Sequence, residues 1–65
     1  MRTYYLYHLH SNGRIAGRDD LEAEDDVKAI ALADRTDRKE AMELWEGPRM
    51  VRTFEAPNPA TRRAN

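Results

Sequence analysis

The stretch TYYLYHLHSNGRI, residues 3–15, contains a strand, a turn and the start of a second strand, and the reading of its turn decides which face of a sheet every neighbouring side chain occupies. Residues 3–10 are aromatic and apolar in the manner of a strand, and Ser11-Asn12-Gly13 is a turn signal. A two-residue Asn12-Gly13 loop would pair His10 with Ile15. A three-residue Ser11-Asn12-Gly13 loop, with Gly13 left-handed, would pair Leu9 with Ile15. One residue of slip sends every side chain to the opposite face, and the first option would bury two imidazoles at a cost. The three-residue loop is therefore expected. With Ile15, Leu21 and Ala23 sharing odd parity in the second strand, it places Tyr5, Tyr7, Leu9 and Ile15 inside and Tyr4, Leu6, His8 and His10 outside. Gly17 and the Asp19-Asp20 pair predict an irregular middle for that strand.

Beyond this hairpin, Asp25 and Asp26 precede VKAIALADR, whose apolar residues recur at helical spacing. Asp25 is the expected N-cap, since its carboxylate accepts from the first free N–H groups and suits the positive helix end. The helix should end near Asp34 to Thr36 and cover one sheet face with Val27, Ile30 and Leu32. Residues 41–54 then read as two strands around Gly47-Pro48. A two-residue loop pairs Glu46 with Arg49, Trp45 with Met50, Leu44 with Val51, Glu43 with Arg52, Met42 with Thr53 and Ala41 with Phe54.

The resulting order is ββαββ. A right-handed crossover between the second and third strands, with the first inserted between them, makes all neighbours antiparallel. The expected fold is α+β: a four-stranded antiparallel sheet of order 2-1-3-4 with one helix on one face. Residues 1–55 form the domain, and 56–65, APNPATRRAN from Ala56 onward, read as a disordered tail.

The totals narrow the function. A chain of 65 residues without cysteine has neither disulfides nor thiolate zinc to supplement a small core. A net charge of -1 with 35% charged residues gives no basic field for nucleic acid. The absence of an apolar run of about 18 residues and of a leader pattern gives the cytoplasm as the expected location.

His8 and His10 lie two apart on a strand, but no third metal ligand is suggested by spacing. No serine or cysteine is placed beside a base as a nucleophile, so no catalytic residue, cofactor or small-molecule substrate is expected. The face away from the helix would carry Tyr4, Leu6, His8, Trp45, Met50 and Phe54, too much apolar surface to leave in water, which marks an interaction surface. The expected protein is a non-enzymatic interaction module, a homodimer or a binder of another protein. The alternative is weak single-stranded nucleic-acid binding, with bases stacked on that face and Arg2, Arg52, Arg62 and Arg63 on phosphates. The acidic residues from Asp19 to Asp26 oppose it. A tail folded back over Trp45 is the structural alternative.

The combination of Tyr4 to Leu9, Gly13-Arg14-Ile15, Asp25-Asp26-Val27-Lys28-Ala29-Ile30 and Glu43-Leu44-Trp45 resembles a group of very short bacterial proteins of unknown function. These share a tyrosine-rich first strand, a turn ending in Gly-Arg-Ile, an Asp-Asp-x-x-Ala-Ile helix start and a Glu-Leu-Trp strand before a glycine turn. The likeness spans residues 3–54 and implies the fold boundaries but no catalytic residue. The histidines and the proline- and arginine-containing tail look peculiar to this chain.

Overall fold

The computed structural model describes residues 1–36 and 40–56. Strand β1 (Arg2–Leu9) and strand β2 (Ile15–Ala23) form the first hairpin, helix α1 (Asp26–Arg35) follows, and β3 (Met42–Glu46) and β4 (Arg49–Phe54) form the second hairpin. The sheet has the order β2-β1-β3-β4, and every neighbouring pair is antiparallel. The α+β architecture read from the sequence is the architecture of the protein. The tail, except Ala56, lies outside the described residues.

Local chemistry sets the joints. The His10 carbonyl accepts from the Gly13 N–H at 2.8 Å, and the His10 N–H donates to the Arg14 carbonyl at 2.6 Å, which closes a loop of Ser11, Asn12 and Gly13. Gly13 has φ of 87°, a conformation that costs any residue with a Cβ, so the glycine is required by this turn. Asn12 stiffens it by accepting the Arg14 N–H on its side-chain oxygen at 3.0 Å. Asp25 caps α1 by accepting the Lys28 N–H at 2.9 Å, and the last turn closes when the Thr36 N–H donates to the Ala33 carbonyl at 3.1 Å.

The expected pair Leu9–Ile15 forms, yet the faces of β1 are the reverse of those expected. His8 pairs with Gly17 and Leu9 with Ile15, so Ala16 is an extra residue, a β-bulge. The bulge breaks the parity of β2: Ile15 turns away from Leu21 and Ala23, and is 60% exposed. Tyr4 pairs with Leu21 and Leu6 with Asp19, so Tyr4 and Leu6 face the helix and are fully buried. Tyr5, Tyr7 and Leu9 point the other way.

A second bulge changes the other hairpin. Glu46–Arg49 and Trp45–Met50 pair as expected, but Leu44 then faces Arg52, Glu43 faces Thr53 and Met42 faces Phe54, leaving Val51 as the extra residue. Phe54 therefore moves to the helix side and is buried, and the expected Glu43–Arg52 pair does not form. Two bulged outer strands also discourage indiscriminate edge pairing.

The core consists of Tyr4, Leu6, Ala23, Ala29, Ala33, Met42, Leu44 and Phe54, with Leu21, Ile30 and Val51 packed at its margin. The helix contributes alanines where larger residues were expected: Ala29 and Ala33, four apart, lie on one stripe and bring the backbone close to the sheet. Val27 is 75% exposed. With three of these eight core residues being alanine, the apolar volume under the helix is small.

Candidate interaction surface

No described element lies on the sheet face opposite α1. Cross-strand pairing assigns its occupants row by row. Leu9 and Ile15 form one row, Arg18, Tyr7, Glu43 and Thr53 the next, and Asp20, Tyr5, Trp45 and Met50 the third. Tyr5, Tyr7 and Trp45 are half-buried by their neighbours, while Met50 is 40% exposed. Tyr7, Ile15, Glu43, Trp45 and Gly47 line a shallow depression of about 330 Å³ in this face.

Of the residues assigned to the surface from sequence, Trp45 and Met50 are there. Tyr4, Leu6 and Phe54 are not: the two bulges place them in the core. His8 shares the face of Leu6, with its Nε2 2.8 Å from Asp19 Oδ2 and its side chain 28% exposed. His10 lies toward Glu40, 3.9 Å away. The two rings thus meet separate carboxylates, and among the described residues no three His, Cys, Asp or Glu side chains gather as a metal site. The residues that sequence reasoning assigned to the core, Tyr5, Tyr7 and Ile15, replace Tyr4, Leu6 and Phe54 on the uncovered face. An aromatic surface remains because the tyrosines of β1 occur in both parities.

The polar groups of the face are arranged around those rings. The Trp45 indole N–H donates to Glu43 Oε1 at 3.1 Å. The Arg18 guanidinium lies over the Tyr5 ring, 5.0 Å from its centroid, and its Nε is 2.9 Å from Asp20 Oδ1. These contacts brace the rings, Trp45 through its N–H and Tyr5 beneath the Arg18 guanidinium, so that they are ordered before any partner arrives.

A separate polar cluster sits at the other side of the sheet, where α1 begins. The Tyr4 hydroxyl donates to Asp26 Oδ1 at 2.8 Å, and Arg49 clamps the same carboxylate with Nη1 at 3.0 Å and Nη2 at 2.9 Å. Arg49 also donates to Glu46, which lies 3.6 Å from Arg2. The Arg49 fork, followed by the Tyr4 hydroxyl, holds the Asp26 carboxyl down at about 2. Burial of the Tyr4 ring, reinforced by Asp26, pushes its phenol up. Arg49 is raised by its hydrogen bonds to Asp26 and Glu46. A phenol held protonated and a carboxylate held ionised by a fixed arginine are poor proton-transfer groups at neutral pH. The cluster ties the helix start to the β3–β4 turn.

Comparison with family models, with curated proteins and with solved structures found no match. No described helix is long and apolar enough to cross a membrane.

Proposed function

We propose that this protein is a small non-enzymatic interaction module that associates with a second copy of itself through the sheet face carrying Tyr5, Tyr7, Trp45 and Met50. The observation that carries the reading is the third row of that face. Tyr5, Trp45 and Met50 stand side by side on three adjacent strands with no described element over them. Contiguous aromatic surface of this kind marks contact sites, and Trp and Tyr are enriched where binding energy concentrates.

A second copy is the occupant favoured by two features. The core under the helix is small, so burying the opposite face supplies what a cysteine-free domain of this length lacks. The face also carries both signs of charge, Arg18 on one strand and Glu43 on another, and is thereby suited to a copy of itself. Nucleic-acid binding is disfavoured by Asp20, Glu22 and Glu43, which share the face with the aromatics and would repel phosphate. We place the protein in the cytoplasm on the sequence pattern alone.

Sedimentation velocity of the wild type and of Trp45→Glu over a concentration series tests the proposal. The wild type should show a concentration-dependent dimer, and Trp45→Glu a monomer with circular dichroism unchanged. A wild type that stays monomeric throughout refutes self-association.

A further inference from the structure

Tyr7 is the direct cross-strand partner of Arg18 on one side and of Glu43 on the other, so the three residues form one row across the uncovered face. Along the row β2 carries a cation, β1 an aromatic ring and β3 an anion, with the neutral Thr53 beyond it on β4. Its two charges are separated by two inter-strand spacings, roughly 10 Å, about a Debye length at moderate salt, so they do not neutralise each other within one chain. Glu43 is half-buried at the edge of the depression walled by Tyr7 and Trp45. It accepts the Trp45 N–H, and no cationic side chain reaches it among the described residues. An aromatic hollow with an unneutralised carboxylate at its margin has the chemistry of a guanidinium site: ring faces for cation–π contact and oxygens for charge-assisted hydrogen bonds.

The chain carries a guanidinium on the same face. Arg18 is half-exposed; its guanidinium lies 5.0 Å from the Tyr5 ring centroid and is engaged by Asp20 through Nε at 2.9 Å, while no described residue is paired with its Nη groups. Symmetry decides whether it can reach the hollow of a second copy. Two sheets packed face to face and related by a two-fold axis lying between them have two limiting arrangements. An axis perpendicular to the strands sets β2 over β2 and β3 over β3, which opposes Arg18 to Arg18 and Glu43 to Glu43. An axis parallel to β1 and passing over Tyr7 sets β2 of each copy over β3 of the other. Arg18 then opposes Glu43 twice in the dimer, with Tyr7 against Tyr7 on the axis. Like charges facing each other in a desolvated contact are penalised and opposite charges fix the register, so the second arrangement is selected. The spacing of packed sheets, about 10 Å, is within the joint reach of an arginine and a glutamate side chain.

We infer that the hollow formed by Tyr7, Trp45 and Glu43 receives the Arg18 guanidinium of a second copy, across a two-fold axis parallel to β1. This rests on the self-association proposed above and adds its register. The test uses three variants, Arg18→Glu, Glu43→Arg and the double exchange, each compared with wild type by sedimentation velocity, with circular dichroism confirming the fold. Each single exchange creates two like-charge contacts per dimer and should raise the dimer Kd at least about tenfold, the factor equivalent to about 1.4 kcal/mol. An equimolar mixture of the two single variants should recover wild-type dimerisation, because in the mixed dimer both contacts become opposite-charge pairs. The double exchange should recover it as well.

A dimer indifferent to both single exchanges overturns the register while leaving self-association standing. Weakened single variants that the mixture fails to restore also overturn it, since the charges then act without facing each other. A wild type that remains monomeric overturns the self-association itself and the register with it.

Discussion

Leu6 and Leu9 are the same residue type on the same strand, three positions apart, and the structure assigns them to opposite faces. Replacing each by alanine therefore measures the inversion directly. Leu6 is fully buried, paired with Leu44 on the central strands and enclosed by the core. Leu6→Ala removes three carbons, about 2.4 kcal/mol at about 0.8 kcal/mol per buried methylene. The cavity left between two paired strands adds to this, so the loss should lie in the upper part of the usual range of about 2–5 kcal/mol. Leu9 is only half-buried, and Leu9→Ala should cost about 1 kcal/mol. For a chain of 65 residues, total stability is on the order of 3–10 kcal/mol. At roughly 4–8 °C per kcal/mol, Leu6→Ala should lower Tm by more than about 10 °C and Leu9→Ala by less than about 8 °C. Thermal and urea unfolding followed by circular dichroism, at concentrations low enough that the midpoint no longer depends on concentration, provides the assay. Equal losses, or a larger loss for Leu9→Ala, would show that Leu9 and not Leu6 faces the helix and would refute the bulge at Ala16.

Other expectations follow from single groups. Asp26 is held at about 2 against 3.8 for a free side chain, so its contribution is present above the unfolded value and should be lost as pH falls from about 5 toward 2, read as an acid limb in Tm that Asp26→Asn removes. The raised Tyr4 phenol acts in the opposite sense: stability is complete below 10 and declines as pH rises beyond it, a limb that Tyr4→Phe should abolish. Gly13→Ala should destabilise by about 1–2 kcal/mol because φ of 87° penalises a Cβ even in open space. Gly17→Ala, with negative φ, open surroundings and a position inside a strand, should be neutral or stabilise by up to about 1 kcal/mol. A pair of chemical denaturation curves separates the two glycines.

The element order, the sheet order, the Asp25 cap, the Ser11-Asn12-Gly13 loop and the Trp45–Met50 pair were all legible because each depends on local chemistry: turn residues, a capping carboxylate, alternation. The faces of β1 were not, because alternation fixes a face only while both strands advance in step. Ala16 and Val51 each insert one residue without any local signal beyond the weak hint of Gly17. Each insertion then moved a set of side chains to the other side, Tyr4 and Leu6 in one hairpin and Phe54 in the other. The arrangement is understandable afterwards from the pairing: Leu21 is the cross-strand partner of Tyr4, and both pack with Ala23 and Leu6 against the alanine stripe of α1. The Asp26–Arg49 clamp was hidden for a different reason: its partners are far apart in sequence and converge only when the crossover has placed α1 over the sheet.

The most direct test of the central claim uses Trp45, the only tryptophan of the chain, as its own reporter. Its indole lies within the proposed contact, beside the two-fold axis, so emission and acrylamide quenching measured from nanomolar to tens of micromolar protein follow the surface itself. Association through this face predicts an emission maximum that moves to shorter wavelength and a quenching constant that falls as concentration rises, and the Arg18–Glu43 register predicts in addition that both changes move to at least about tenfold higher concentration in the folded Arg18→Glu variant. An emission maximum and quenching constant of a half-exposed indole, unchanged across the whole range in the wild type, would contradict it.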